Sequence, residues 1–439
     1  MPKANHPLDK ARELQRALYR AAKQSATRRF HALYDKVSRT DILWRAWEEV
    51  KANQGAAGVD GQTVHEIEME GVAAFLTQIE QELREGRYHP RPVRRVHIPK
   101  PDGGKRPLGV PAVRDRVVQM AVKIVIEPIF EADFQSCSFG FRPKRSAHDA
   151  NEVIRRTVNR GYGWVVDADI GNYFETIDHE KLMAMVARRI SDRRILKLIR
   201  KFLQAGVLED GNVRTTTTGT PQGGVLSPLL ANIYLNYLDT VWQARCRQVG
   251  VLVRYAGDLV ILCGSKGAAD EALRRLQLVL GRLGLNLNTA KSRIVDLKEG
   301  REGFDFLGFH QRKVRSSQYH RYYLQRWPGR KAMQAIREKV RTMVGGRHSL
   351  DRSLKEVIHE LNPVLRGWGN YFRVGNSSKQ LHMVDGFVWE RLSLFLSKKH
   401  GRSGRGWADR WRHIDPGQEG LYRLSGTVRR HAYPANALG

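Results

Sequence analysis

Cysteine is scarce in this chain, and long hydrophobic runs are missing. Three cysteines occur in 439 residues, at Cys137, Cys246 and Cys263, and no CxxC pair is among them. Their scarcity and spacing exclude a disulfide framework and a cysteine zinc site, and they fit a reducing compartment. No run approaches the roughly 18–20 apolar residues that a membrane-spanning helix needs, so we expect no membrane partner.

The N-terminus lacks an apolar signal segment. Its first residues are rich in Arg, Ala and Ser, as transit peptides are, but Asp9 and Glu13 argue against that interpretation. We therefore predict a basic N-terminal helical extension over residues 1–50. The expected location is cytoplasmic, or organellar if the N-terminus is a transit peptide.

Acidic residues are few relative to basic ones. The chain has 45 Asp and Glu against 75 Lys and Arg, a formal net charge of +30, and a sequence pI of about 10.4. The excess is uneven: residues 1–30 hold eight Lys and Arg against two acids, and residues 311–439 hold 26 against nine. A polyanion is the natural partner, because neutralising its phosphates releases bound counterions.

Local patterns predict a mixture of strands and helices. Residues 9–50 are predicted to be mostly helical, and further helices are predicted over 113–130, after Asp178 and over 268–283. The predicted strands are Val93–Ile98, which turns at PDGG into a return strand, a hairpin at 254–263, and Phe304–Lys313. Ser146 with Asp149 resembles a capping box, and Ser227 suits an N-cap with Pro228 at the first helical position. After about residue 315, helical spacing predicts a basic helical domain.

Asp167 and Asp169 end the predicted strand in GWVVDAD. Because successive strand side chains alternate faces, these two carboxylates point the same way. They repel each other unless positive charge lies between them, and a divalent metal would supply it. Paired Mg²⁺ ions serve phosphoryl transfer in this manner. The alternative is that one or both acids are solvated at the end of the strand.

Other candidate residues give weaker signals when they are taken singly. Lys100 and Arg106 flank the PDGG turn, where two cations suit a triphosphate, but a basic surface hairpin explains them as well. Phe174 suits either stacking on a sugar or core packing. Trp368 and Tyr371 lie among arginines, which favours looped RNA, and core packing with the arginines outside is an equal alternative.

The stretch RYAGDLVILC, Arg254 to Cys263, predicts a hairpin whose turn carries one acid. A Gly next to an Asp is a favoured tight-turn pair, so an ordinary hairpin is the simplest interpretation. Many nucleotide polymerases carry two adjacent acids on such a turn, where they hold catalytic metals. The stretch alone does not decide between the two interpretations.

The motifs occur in one order along residues 40–375. They are NQGAAGVDG, IPKPDGGKRPLGVP, SFGFRPKRSAHDA, VVDADIGNYFETIDHEKL, GTPQGGVLSPLLANIYL, RYAGDLVIL, LGLNLNTAKSRIV, FDFLGF and LNPVLRGWGNYFR. Each motif is weak alone, but the ordered set is specific. The chain resembles the reverse transcriptases encoded by group II introns, which are often called intron maturases.

The resemblance implies an α+β fold: a right-hand polymerase, with fingers and an antiparallel palm sheet, followed by an α-helical thumb called domain X. The implied domains are the extension at 1–50, fingers and palm at 51–314, and the thumb with its tail at 315–439. The implied partners are group II intron RNA, an RNA template with a DNA primer, dNTPs and a DNA target, and the implied cofactor is Mg²⁺ at a two-metal site.

The resemblance also implies a set of site residues. They are Asp169 and Asp258 as catalytic residues, Asp169, Ile170 and Asp258 as metal ligands, Lys100, Arg106, Phe174, Gln222 and Lys291 for nucleotide binding, and Arg366, Trp368 and Tyr371 for RNA binding.

One departure from the family pattern bears on activity. The family's YADD reads Tyr255-Ala256-Gly257-Asp258 here, so Gly257 stands where a metal-binding acid is usual. The leading hypothesis is an RNA-directed DNA polymerase with maturase activity. The alternative is a polymerase-impaired maturase that only binds and folds intron RNA. A third interpretation, a defence or host-adopted reverse transcriptase, is disfavoured by the LRGWGNYFR motif.

Overall fold

The computed structural model describes residues 7–99, 104–209, 212–214, 218–220, 223–345, 350–401 and 417–429. The predictions for Lys100 and Gln222 lie outside the described residues. The chain divides into two compact units, residues 1–150 with 166–293, and residues 151–165 with 294–439. The division of the chain into extension, fingers with palm, and thumb stays a prediction.

The first unit opens with helices, whose bounds are α1 Pro7–Gln24, α2 Tyr34–Val37, α3 Thr40–Ala52, α4 Val64–Glu70 and α5 Val72–Arg84. The prediction that residues 9–50 are mostly helical is confirmed, but the chain forms three separate helices there. The chain breaks after Gln24 because Phe30 is buried in an extended segment that pairs with Ile190, and the Phe30 N–H donates to the Arg189 carbonyl at 2.8 Å. At α4, Thr63 and Glu66 form a capping box.

The predicted pair of strands around PDGG is confirmed. Strands β1 Val93–Pro99 and β2 Lys105–Val110 pair antiparallel, with Ile98 opposite Arg106. The sheet order is β2-β1-β4-β5, where β4 is Val207–Glu209 and β5 is Asn212–Arg214, and β1 pairs with β4 in parallel. Helix α6, Val113–Glu131, follows at the predicted place and is buried along most of its length.

A second sheet has the order β6-β7-β3-β8. Its strands are β3 Trp164–Asp169, β6 Val251–Tyr255, β7 Asp258–Cys263 and β8 Arg293–Asp296, and the helices between them are α8 Tyr173–Thr176, α9 His179–Ala187, α10 Arg193–Gln204, α11 Ser227–Arg245 and α12 Lys266–Leu283. The predicted hairpin at 254–263 is confirmed, because β6 and β7 pair antiparallel. The mixed α+β class is confirmed as well.

Helix starts follow local chemistry with one exception. The predicted capping box precedes α7, Ala147–Asn159: the Asp149 N–H donates to Ser146 Oγ at 3.3 Å, and the Ser146 N–H donates to the Asp149 carboxylate at 2.9 Å. The prediction at α11 is wrong by one residue, since Leu226 is the N-cap and Ser227 is already helical. Most faces of α11 are buried, so packing rather than a cap defines this helix.

The second unit contains a sheet and a helical cluster. Strands β9 Gly303–Phe306, β10 Phe309–Arg315 and β11 Tyr322–Pro328 pair antiparallel, in the order β11-β10-β9. The predicted single strand at Phe304–Lys313 is wrong, because Leu307 (φ 51°) and Gly308 (φ 79°) reverse the chain within it. The prediction of an all-helical tail after about 315 missed β11.

Three helices follow β11 in the described residues: α13 Arg330–Gly345, α14 Leu354–Phe372 and α15 Ser378–Lys399. Their apolar faces meet in one core, which confirms the helical spacing read from the sequence. The core includes Met333, Ile336, Val340, Val357, Ile358, Leu361, Leu365, Leu381, Val384 and Val388. Burying each such side chain contributes about 1.5–3 kcal/mol to folding.

Candidate active site

Asp169 ends strand β3 and is held by the segment before β8. Its backbone N–H donates to Ser292 Oγ at 3.2 Å, and its carbonyl accepts from the Asn288 N–H at 2.8 Å. Asn288 Nδ2 also lies 3.4 Å from the Asp169 carboxylate, a long hydrogen bond. The carboxylate remains about one-third exposed, so it is positioned by the backbone and open to a ligand.

Two carboxylates that lie two residues apart on β3 each lie near a cation, and the two cations are also two residues apart in the sequence. Lys291 Nζ lies 3.7 Å from Asp169 Oδ2, and Arg293 Nε lies 3.9 Å from Asp167 Oδ2. The alternation predicted for Asp167 and Asp169 is consistent with this arrangement. Side-chain cations thus offset part of the repulsion between the two acids. The Lys291 side chain is 64% exposed, which leaves it free to move toward a ligand.

The hairpin turn consists of Ala256 and Gly257, because Tyr255 pairs with Asp258. Ala256 takes the left-handed conformation, with φ 54°, whereas Gly257 does not. A Cβ built on Gly257 would lie 3.4 Å from Tyr173 Cδ1, which is ordinary van der Waals contact. Neither the backbone nor the space around the Cα therefore requires glycine at this position, and a Cβ is tolerated there.

A buried ion pair stabilises the hairpin. The Arg254 and Asp239 side chains are fully buried, and Arg254 Nε and Nη2 donate to the two Asp239 carboxylate oxygens at 2.8 and 2.6 Å. Arg254 Nη1 donates to Asn232 Oδ1 and to the Ala256 carbonyl, each at 3.0 Å, and Nη2 donates to Ser138 Oγ at 2.7 Å. The bond to Ala256 ties this network directly to the turn.

Sequence reasoning assigned no role to Arg254. The signal was a charged residue inside the apolar run VLVRYAGDLVILC, since a charge in a buried strand requires a partner. Burial alone lowers the pKa of Arg254, but the Asp239 carboxylate reverses the effect and raises it above its ordinary value. The guanidinium therefore stays charged, and Asp239 on α11 is its counterion.

Asp258 occupies the first position of β7, beside other charged groups. Its side chain is exposed to solvent, although neighbouring protein atoms partly desolvate the carboxylate. Partial desolvation and the nearby Asp169 carboxylate raise the pKa of Asp258, whereas Arg106 and Lys291 lower it. Charged residues on β2, β3 and the segment before β8 thus influence the carboxyl of Asp258 on β7.

The donor set fits a divalent cation in part. Asp169 and Asp258 repel each other, and a cation between them would remove that cost. The Ile170 side chain is buried and its backbone bridges to Leu287, so only its carbonyl is suited to coordination. Gly257 offers no side-chain oxygen. In the part of the chain that the structure describes, no cluster of three or more His, Cys, Asp or Glu is suited to metal binding.

Phe174 lies in the short helix α8, next to the glycine-rich loop. Its carbonyl accepts from the Thr220 N–H at 2.7 Å, and a Cβ on Gly219 would lie only 2.9 Å from that same carbonyl. The Phe174 ring is half-buried, 5.3 Å from the Tyr173 ring, and the Tyr173 hydroxyl donates to the Ala231 carbonyl at 2.5 Å. The described part of the GTPQGG loop is therefore fixed beside Phe174.

The three RNA-binding candidates lie on α14, within the second unit. Arg366 is exposed and stacks over the Tyr422 ring at 4.6 Å. Trp368 is half-buried against the helical core, and its ring lies 4.8 Å from that of Phe372. The Tyr371 hydroxyl donates to the Leu307 carbonyl at 2.9 Å. Trp368 and Tyr371 thus have packing roles, and RNA contact by any of the three stays a prediction.

Two family models match the chain. Residues 98–311 match "Reverse transcriptase (RNA-dependent DNA polymerase)", and residues 333–413 match "Group II intron, maturase-specific domain". The first match contains Asp169 and Asp258, and the second contains Arg366. The chain thus contains a reverse transcriptase domain, of the right-hand polymerase class, and the strand end and hairpin described above lie within it.

Similarity to individual proteins places the chain more closely. Protein YkfC of Escherichia coli K12 is 36% identical over 343 residues, which cover 69% of this chain and 89% of that protein. The group II intron-encoded protein LtrA of Lactococcus lactis is 43% identical over 213 residues, 48% of this chain and 35% of LtrA. An uncharacterized 91 kDa protein in a cob intron of Schizosaccharomyces pombe is 39% identical over 201 residues, 45% of this chain and 24% of that protein.

The chain belongs to the group II intron-encoded reverse transcriptases with a maturase domain. The matched region spans about a third of LtrA and about a quarter of the cob intron protein. No helix in the described residues is long and apolar enough to cross a membrane.

Proposed function

We propose that this reverse transcriptase extends a DNA primer on its intron RNA, taking dNTPs as substrates, and delivers the copy to a DNA target. The proposal rests above all on the placement of four charged groups: Lys291 Nζ lies 3.7 Å from Asp169 Oδ2. The Asp169 carboxylate raises the pKa of Asp258, whereas Arg106 and Lys291 lower it. Two acids for a metal and two cations for phosphates are the groups that nucleotidyl transfer needs. Work in the cytoplasm, as a ribonucleoprotein, is part of the same proposal.

Mg²⁺ is the proposed cofactor, held by the Asp169 and Asp258 carboxylates and the Ile170 carbonyl. When bound, magnesium supplies positive charge to the primer hydroxyl and the transferring phosphate. It accepts water at several of about six positions, so two carboxylates can still hold it. Gly257 removes one charged ligand, and we expect slower DNA synthesis than with an aspartate there.

The chain's own residues orient the nucleotide in this proposal. Lys100, Arg106 and Lys291 hold the triphosphate oxygens by charge. Phe174 lies under the sugar and excludes ribonucleotides, and Gln222 lines the site of the incoming nucleotide. Support comes from the Thr220 and Phe174 hydrogen bond, which fixes the loop next to that ring.

The maturase region is proposed to contact intron RNA through Arg366, with Trp368 and Tyr371 shaping the same helix. The proposed organisation has three parts: an extension at 1–50, fingers and palm at 51–314, and the thumb at 315–439. The net charge of +30 supports RNA binding along both ends of the chain.

Primer extension on an RNA template tests the polymerase proposal. The parental protein is compared with Gly257→Asp and Asp169→Ala, in Mg²⁺ and separately in Mn²⁺. We expect extension by the parental protein, faster extension by Gly257→Asp, and none by Asp169→Ala. Equal melting temperatures for the parental protein and Gly257→Asp would show that only the chemistry has changed.

Gly257 favours one second candidate function, that of a maturase with an impaired polymerase. On that view the palm binds RNA but does not synthesise DNA. Extension by Gly257→Asp alone, with intron RNA binding equal in both proteins, would support the second candidate. No extension by either protein, even in Mn²⁺, would refute the proposed donor set.

A further inference from the structure

Three exposed tyrosines cluster at the tip of the β10–β11 hairpin. Tyr319, Tyr322 and Tyr323 are 69%, 43% and 37% exposed. Other large apolar side chains that are exposed in the described residues, such as Tyr19, lie singly along the chain. Single exposed apolar side chains are ordinary, whereas three exposed aromatic rings within five residues are unusual and favour a binding partner.

The surroundings of this tip carry one sign of charge. From residue 306 to residue 337 the sequence has eight Lys and Arg and no Asp or Glu. Arg315 and Arg321, which flank the loop, have no carboxylate within ion-pair distance among the residues described. Uncompensated arginines next to exposed aromatic rings favour a polyanion that also carries flat bases.

The strand register separates the tyrosines between the two faces of the hairpin. Arg315 pairs with Tyr322, so their side chains share one face, and Val314 pairs with Tyr323 on the other. The Tyr323 hydroxyl accepts from Gln325 Nε2 at 2.6 Å, which engages it within the protein. The face with Arg315 and Tyr322 therefore combines a cation with an aromatic ring.

Hydrogen bonds hold the loop that presents Tyr319. The Ser316 N–H donates to the Arg321 carbonyl at 2.9 Å, and the His320 N–H donates to the Ser316 carbonyl at 3.0 Å. The Tyr319 N–H donates to Ser316 Oγ at 3.1 Å. A loop that is ordered before binding loses less conformational entropy when a ligand arrives.

We propose that the hairpin tip, defined as Arg315, Tyr319, Arg321 and Tyr322, binds unpaired RNA. Tyr319 and Tyr322 stack on bases, and Arg315 and Arg321 contact the adjacent phosphates. The inference deepens the proposed function, on which it rests, by naming a surface for single-stranded segments of the intron RNA. A duplex hides its base faces and does not fit this surface.

The test uses the full-length protein and a short oligouridine RNA, with DNA of equal length and an RNA duplex as comparisons. Tyr319→Leu and Tyr322→Leu keep apolar area but remove the aromatic ring. Each is expected to weaken RNA binding about 5- to 150-fold, because each stacked base contributes roughly 1–3 kcal/mol. Tyr319→Phe and Tyr322→Phe should bind like the parental protein, and Tyr323→Leu is the matched control with unchanged affinity.

A salt titration separates stacking from charge. Arg315→Gln and Arg321→Gln should each reduce the slope of log affinity against log salt by about 0.7, whereas the leucine variants should keep the slope. Photocrosslinking with 5-iodouridine RNA should label Tyr319 or Tyr322. Because these positions are exposed, each substitution should leave the melting temperature unchanged. Measuring the melting temperature therefore checks that each variant is folded.

Four results would overturn the inference: parental affinity in both leucine variants, equal losses for leucine and phenylalanine, equal losses on duplex RNA, or RNA crosslinks at neither Tyr319 nor Tyr322. These failures are distinct from failure of the proposed function. If the leucine variants bind intron RNA and extend primers normally, the proposed function stands without this surface. If the parental protein binds no RNA, the proposed function itself is wrong.

Discussion

Replacing Asp239 with asparagine would test how strongly the hairpin depends on the buried Arg254 pair. The two side chains have the same shape, but Asp239→Asn leaves the Arg254 guanidinium buried without a counterion. Two charge-assisted hydrogen bonds, at 2.8 and 2.6 Å, are weakened or lost. Removing one partner of a buried pair costs about 3–5 kcal/mol, so the free energy of unfolding should fall by that amount.

Thermal unfolding followed by circular dichroism measures the effect. At about 2–4 °C per kcal/mol for units of this size, the melting temperature should fall by roughly 6–20 °C. Glu271→Gln is the matched control, because Glu271 pairs with Arg274 and Arg275 on the solvent-exposed side of α12. Surface pairs contribute little, so no measurable change is expected there.

A double variant sharpens the test. Asp239→Leu with Arg254→Met removes both charges together, and replacing a buried pair by apolar residues is often nearly neutral. It should be more stable than Asp239→Asn but less stable than the parental protein, because Asn232 Oδ1, Ser138 Oγ and the Ala256 carbonyl lose their donor. If Asp239→Asn is as stable as the parental protein, or if the double variant is less stable than the single one, the reasoning about the uncompensated charge is wrong.

The remaining predictions concern single residues. Asp258→Asn should raise the melting temperature at neutral pH. The folded protein raises the pKa of this carboxyl above its ordinary 3.8, so the ionised Asp258 destabilises the fold once the pH exceeds that pKa. The gain in melting temperature should shrink toward pH 4, and a lower melting temperature at neutral pH would contradict the reasoning. Ser353→Ala removes the capping box with Glu356 at α14 and should cost about 1 kcal/mol in urea unfolding, with Ser317→Ala as a neutral control. Tyr371→Phe loses the hydrogen bond to Leu307 and should cost roughly 0.5–1.5 kcal/mol, and an unchanged unfolding midpoint would refute that.

Elements that carry their own local signals were predictable from the sequence. The Ser146–Asp149 capping box lies three residues apart, and the hairpin at 254–263 has a Gly-Asp pair between apolar runs. The Asp167 and Asp169 alternation follows from strand geometry alone. These features need only neighbouring residues, which is why sequence patterns found them.

Features that depend on distant residues were not predictable in the same way. Arg254 finds Ser138 from 116 positions away, and no local pattern indicates that partner. The reversal at Leu307 and Gly308 interrupts a run of apolar residues, so the run resembled one strand. Its left-handed Leu307 is stabilised by Tyr371, 64 positions later. Lys100 and Gln222 remain predictions from the resemblance.

The Arg254 network has a consequence for the order of folding. Ser138, Asn232 and Asp239 all precede Arg254 in the chain, so they emerge from the ribosome first. Helix α11 cannot bury the ionised Asp239 before its counterion arrives, because an unpaired buried charge costs several kcal/mol. Docking of α11 must therefore wait until β6 is synthesised, and the hairpin turn at Ala256 forms in the same step. In a nascent chain that stops before residue 254, we expect proteases to cut α11 readily.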